Sequence, residues 1–153
     1  MKTKKLEKRA QRGKLIVQVA ALPFRHTEAG VPEILLLTSR QTSRFILPKG
    51  WPMKGRRDWE AAAQEAGEEA GVVGIPYEQS VGSFKYWKRL KGSFVPVTVD
   101  VYPLHVQQVL PKWKERKSRR RAWVKLEQAT LLIEEPELVS ILNDALPKLA
   151  RFS

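Results

Sequence analysis

Apolar and polar residues fall into short, regular blocks along this chain, and the blocks predict a strand-rich domain with two principal helices. Residues 14–22 and 33–38 are strand-like apolar runs separated by a turn-rich stretch in which Gly30 and Pro32 act as breakers. They are expected to be neighbouring central strands. Residues 45–47 form a further short strand, after which Pro48 and Pro52 bar regular pairing or helix and force 48–52 into a loop. That loop leads into the clearest helix, 59–70, rich in Ala, Glu and Gln, with Asp58 as N-cap and Gly71 at the left-handed C-cap position. Residues 81–90 and 93–105 read as a hairpin around Lys91 and Gly92, since Val95, Val97, Val99 and Val101 alternate with period two. A basic loop at 111–121, a closing strand at 122–125 and a helix at 136–149 complete the pattern. The last helix carries Leu138, Val139, Ile141, Leu142 and Leu146 as its apolar face.

With 153 residues, 42% of them hydrophobic and 29% charged, the chain has enough apolar surface for one core and is not wholly disordered. Residues 1–13, with six cations opposed only by Glu7, read as a solvated, flexible basic arm ahead of a single domain at 14–153. The basic opening and the apolar run of residues 15–24 resemble a signal peptide superficially. Gln18 interrupts that run, however, no small-residue cleavage site follows, and a buried strand accounts for it better. No run reaches the ~18 apolar residues of a membrane span. The lack of cysteine excludes disulfides and thiolate metal sites and makes the cytoplasm the expected location. Either a monomer or a symmetric homodimer is consistent with this pattern.

Charge narrows the partners. With 28 Lys+Arg against 16 Asp+Glu, the net charge of +12 favours a phosphate-rich small molecule, nucleic acid or an anionic surface over a cationic substrate. Arg40, Arg44, Lys49 and Arg56 surround the 48–52 loop, and Lys85 and Lys88, with Arg89 and Lys91, flank the hairpin turn. These two basic segments are candidates for substrate phosphates. Trp51 and Trp87 stand beside turns and are expected to pack rather than to stack on a base. His26 and His105 are too isolated in the sequence to suggest zinc.

The chemistry concentrates on the 59–70 helix. Glu65, Glu68 and Glu69 are spaced i, i+3 and i+4, so they project from one face, while Trp59, Ala63, Ala66 and Ala70 form another that can pack closely on a sheet. Like charges at this spacing cost about 0.2–0.5 kcal/mol per pair, which a bound cation relieves. A hard ion such as Mg²⁺, which takes oxygen ligands and completes its shell with water and phosphate, suits three carboxylates beside a loop. Taken alone, the same glutamates also suit a merely solubilising surface.

The surroundings favour the metal. Residues 50–72 resemble the Nudix box, which runs Gly, five residues, Glu, seven residues, Arg-Glu, an apolar residue, any residue, Glu-Glu, any residue, Gly and an apolar residue. Gly50, Glu65, Ala66, Glu68, Glu69, Gly71 and Val72 match without a gap, whereas Arg56 replaces the first Glu and Gln64 the Arg. The resemblance implies an α/β fold, the Nudix-type α/β/α sandwich with a mixed β-sheet. It also implies metal and catalytic roles for Glu65, Glu68 and Glu69, with Gly50 as a carbonyl ligand and Mg²⁺ or Mn²⁺ as cofactor. The expected activity is hydrolysis of a diphosphate linkage. The lead-in at 47–50 and the stretch 119–123 resemble the branch of diphosphoinositol polyphosphate and diadenosine polyphosphate hydrolases. The competing reading is a non-catalytic nucleotide- or RNA-binding protein on the same fold, motivated by the two departures and by the basic arm and loop.

The two departures reverse one acidic position and neutralise one basic position, so they are expected to compensate one another. Restoring Arg56→Glu and Gln64→Arg singly and together should give strongly non-additive changes in stability and turnover, whereas additive effects would break the link.

Overall fold

The computed structural model describes residues 2–39 and 44–149, apart from the Leu146 side chain. Arg40 and the Leu146 side chain, both singled out above, lie outside the described residues. In chain order the elements are α1 (Thr3–Gln11), β1 (Val17–His26), β2 (Pro32–Thr38), β3 (Phe45–Ile46), β4 (Lys49–Gly50), α2 (Asp58–Ala70), β5 (Val72–Pro76), β6 (Gly82–Leu90), β7 (Ser93–Val109), β8 (Arg121–Lys125), α3 (Leu126–Leu132) and α4 (Pro136–Leu149).

The strands join in one mixed sheet. β1 pairs parallel with β7 and antiparallel with β2 and β4, and β2 continues to β3 and β8. β7 is 17 residues long, enough to pair with β6 along its first half and with β5 near its end. The two-residue side-chain period then divides the interior. Ala20, Leu22 and Phe24 of β1 join Val95, Val97, Val99 and Val101 of β7 under Leu6 of α1 and Leu138 and Leu142 of α4. Val19 and Ala21 point the other way, with Tyr102 and Leu104, against Ala61, Ala62, Ala66 and Ala70 of α2. The architecture is thus an α/β/α sandwich, and the alanine face allows α2 to pack close to the sheet.

Several details differ from the periodic pattern. The N-terminal basic segment is not a solvated arm: Thr3–Gln11 form a helix whose Leu6 is 1% exposed, while Lys4, Lys5 and Lys8 stay in solvent. One apolar residue in a basic run gives no periodic signal, yet it suffices when a core accepts it. Glu7 adds a bond from Ser93 Oγ at 3.1 Å. The N-cap of α2 is Arg57 rather than Asp58. The Glu60 carboxylate accepts the Arg57 backbone N–H at 3.1 Å and draws the helix start back by one residue. Lys49 and Gly50 pair with β1 despite the flanking prolines, because neither proline's missing N–H falls within that short ladder. β5 and α3 escape the periodic reading: Gly74 and Pro76 interrupt the former, and the latter spans only seven residues. Gly74 sits at a register shift where a Cβ would collide with the His105 backbone. Among the described residues no helix is long and apolar enough to cross a membrane.

Burial of Leu6 makes α1 part of the cooperative unit. Leu6→Ala should lower unfolding stability by about 2–4 kcal/mol in urea titration, the range for a leucine emptied from a core, where a solvated arm predicts no change.

Candidate active site

Helix α2 and two loops form the site. Gly71 ends α2 with φ 67°, a left-handed conformation that favours glycine, and a Cβ there would meet Trp113 and Arg121 at 2.8 Å. Both neighbours bond the helix end. Trp113 Nε1 donates to the Glu69 carbonyl at 3.0 Å, and Arg121 Nη1 donates to those of Ala70 and Gly71 at 2.9 and 3.3 Å. The backbone N–H groups of Glu115 and Leu110 take the carbonyls of Glu68 and Gly71 at 3.1 and 2.8 Å. Arg121 also lies 4.0 Å over the Trp113 ring and donates to the Leu110 carbonyl at 2.8 Å. The 110–120 loop is thereby fixed against α2.

On the opposite side, pairing with β1 holds Lys49 and Gly50 against the same helix. A Cβ on Gly50 would overlap the Glu65 carboxyl group, 2.7 Å from its Oε2 and closer still to its other atoms. Only glycine lets Glu65 lie there. The Lys49 backbone N–H donates to Glu69 Oε1 at 3.3 Å, and Arg119 Nη2 stands 3.8 Å from the same oxygen. Arg119 is held in turn by Glu115 at 2.8 Å and by the Thr38 carbonyl at 3.1 Å.

Glu69 is 6% exposed. Burial pushes its pKa from the ordinary 4.5 up to about 8; Arg119 pulls it down, while Glu65 and Glu115 push it up. Glu65 is raised as well, mainly by burial, with a bond to Glu69 opposing the shift and the charges of Glu68 and Glu115 adding to it. Two carboxyl groups that resist ionisation side by side are hard oxygen donors whose ionised forms a divalent cation would favour, which fits such an ion. Glu68 is turned aside and accepts from Gln64 Nε2 at 3.4 Å. Among the described residues, no three carboxylate or imidazole groups are gathered into a ready-made metal cage. Adjacent carboxylates on one helix face are not expected to be identically placed, which makes Glu65 and Glu69 the principal ligand candidates and Glu68 their neighbour; in the structure Glu65 and Glu69 lie together and Glu68 lies beside Gln64.

The cationic candidates separate in the same way. Lys49 and Lys88 come together: Lys49 lies 5.0 Å from the Tyr86 ring centroid, Lys88 lies 5.9 Å from that of Trp51, and the charge of Lys88 acts on Lys49. Burial lowers the Lys49 pKa from 10.5, against the pull of Glu69. Arg44 lines the same small hollow as Lys49 and Tyr86 but is paired to Glu134 and Glu135 at 3.1 and 3.7 Å. Tyr86 donates to Gln18 Oε1 at 2.6 Å, and its pKa is pushed up to about 12 by burial and by the charge of Glu69. Arg56 does not join them. It lines an open cleft of about 620 Å³ with Gln64, Glu68, Trp113 and Lys114. Lys85 points to the other face of β6, because strand parity separates it from Tyr86 and Lys88. Trp51 packs partly into the core, whereas Trp87 is 67% exposed, contrary to the packing role expected for it. His26 and His105 belong to a ring cluster around Phe24, and His26 Nε2 meets the Leu149 carbonyl at 3.0 Å.

Arg119, Glu115 and Tyr86 were not among the sequence candidates. Arg119 sits in a run of three arginines and Glu115 in a basic loop, so nothing local distinguishes them; the alternation of β6 places Tyr86 inward but says nothing of Glu69.

No protein-family model matches the chain. Among curated proteins it is 30% identical over 148 residues to Nudix hydrolase 16, mitochondrial, from Arabidopsis thaliana, covering 88% of this chain and 81% of that one. To diphosphoinositol polyphosphate phosphohydrolase 3-beta of Bos taurus it is 31% identical over 119 residues, covering 76% and 68%. An Ap4A hydrolase from C. elegans, solved as a binary complex, matches with a TM-score of 0.66 at 25% identity over 90% of this chain and all of that one. The chain belongs to the Nudix hydrolases, which are phosphoanhydride hydrolases. It spans only 50–61% of the length of several further Arabidopsis relatives, some of them mitochondrial or chloroplastic by name.

The raised Glu69 pKa has a consequence for stability. Because the folded state holds its proton up to about pH 8 while an unfolded glutamate releases it near 4.5, metal-free protein should lose stability as pH rises through that window. Thermal unfolding should show a falling midpoint that Glu69→Gln largely flattens and that added Mg²⁺ restores at pH 8.

Proposed function

We propose that this chain is a Mg²⁺-dependent hydrolase that cleaves a diphosphate linkage in a polyanionic small molecule such as a dinucleoside polyphosphate, a diphosphoinositol or a nucleoside diphosphate derivative. The observation that carries the reading is the buried Glu69 with the half-buried Glu65 beside it, set against the Gly50 loop, with Lys49 and Arg119 near Glu69 and Lys88 close to Lys49. The names of the bovine and nematode relatives support this range of substrates. Mn²⁺ is the second ion we assign to the site, and the cysteine-free chain supports a cytoplasmic location.

When bound, the divalent ion supplies charge neutralisation on the bridging phosphates and activation of the attacking water. Glu65 and Glu69 would hold it, with the Gly50 carbonyl and Glu68 completing or bracing the set. The protein's own groups do the rest. The Lys49 N–H and Arg119 fix the Glu69 carboxylate in one orientation, so little reorganisation remains when charge develops. Lys49 and Lys88 offer ammonium groups to the phosphate chain; for the partly dehydrated Lys49, an arriving anion favours the charged form. Arg119 stays with its carboxylates and positions them.

Product release from a panel of diphosphate compounds tests the reading. Turnover should require divalent metal, and Glu69→Gln should reduce kcat by about 100-fold or more at matched folding, as expected for a lost metal ligand. Absence of turnover across the panel, together with tight nucleotide or RNA binding, would instead establish the non-catalytic alternative.

A further inference from the structure

Helix α2 covers only part of the sheet face on which it lies. Val19, Ala21, Tyr102 and Leu104 are sealed beneath it, but the same face continues over the β6–β7 hairpin, where Trp87 is 67% and Phe94 61% exposed. The register fixes what stands beside what: Lys85 opposes Thr98, Trp87 opposes Pro96, and Arg89 opposes Phe94. All six side chains emerge on one side. Trp87 is flanked two residues away on its own strand by Lys85 and Arg89, about 7 Å on either side at ordinary strand rise, with Pro96 opposite and Phe94 diagonal.

We propose that this open face binds single-stranded nucleic acid, with Trp87 and Phe94 stacking on unpaired bases and Lys85 and Arg89 meeting the backbone. Aromatic rings alternating with cations suit a ligand with flat, unpaired rings and regularly spaced negative charge. A second copy of the chain is disfavoured, because two such faces would bring Lys85 and Arg89 against their like on a protein of net charge +12. Addition of a strand at the β6 edge is opposed at Lys85, whose N–H is already taken by Glu137 at 3.1 Å. An occupant therefore meets side chains rather than the backbone edge. Asp100, an acid on this face of β7, accepts from Ser83 Oγ at 2.6 Å. Tyr86 and Lys88 point to the opposite side of β6, so the inference does not rest on the hydrolase reading.

Tryptophan fluorescence titration of the full chain tests the proposal, using about 12-nucleotide single-stranded RNA and DNA with 5′-hydroxyl ends, and the matching duplexes, at about 0.15 M salt. Single strands should quench emission and bind more tightly than duplex; the RNA-to-DNA affinity ratio then tells which strand the face takes. Trp87→Ala should weaken binding about 5- to 150-fold, the cost of one lost base stack, while Trp87→Phe keeps most of the affinity and loses the quench. Arg89→Ser should reduce the salt slope by about 0.7. Circular dichroism and diphosphate turnover should be unchanged in Trp87→Ala. Equal affinity for duplex with no effect of Trp87→Ala would overturn the proposal, as would a Trp87-dependent dimer that binds no oligonucleotide.

Discussion

Four carbonyl groups at the C-terminal end of α2, those of Glu68, Glu69, Ala70 and Gly71, must find partners outside the helix, and the segment from Leu110 to Arg121 supplies all of them. Left unpaired in a buried position, each would cost about 1–3 kcal/mol. Satisfying them anchors a basic segment that has no strand or helix of its own over much of its length. The anchoring brings Glu115 and Arg119 to Glu69 and places a guanidinium at the negative end of the helix dipole.

Glu69 shows why such anchoring is needed. A carboxylate near a helix C-terminus is opposed by the dipole, and burial beside a second carboxyl group opposes it further. The Lys49 N–H and Arg119 only partly compensate, so the pKa remains high. The site therefore holds its protons until a cation favours the ionised carboxylates. The same economy of space explains Gly50 and Gly71: one admits the Glu65 carboxyl group, the other admits Trp113 and Arg121.

The surplus of positive charge is divided between structural and available uses. Arg121 and Arg119 serve carbonyls and carboxylates, and Arg44 is paired with the acids at the α3–α4 junction. Lys49 remains near Glu69 with Lys88 beside it, whereas Lys85 and Arg89 lie on the other face of β6 from Lys88. One two-residue period thus assigns neighbouring cations to separate surfaces.

The sequence by itself determined the features set by local periodicity and local sterics. These are the alternating valines of β7, the alanine face of α2, the glycine that ends it and the i, i+3, i+4 glutamates within the Nudix spacing. Each depends on residues only a few positions apart, so the pattern is legible without a fold. Tertiary structure alone decided that Arg119 and Glu115 join Glu69, that Lys85 and Arg56 do not, and that Leu6 fastens the basic N-terminus. Those outcomes depend on contacts across some 50 to 90 residues, such as Arg119 with Glu69 and Ser93 with Glu7, where burial and strand register select among side chains that look equivalent in the sequence.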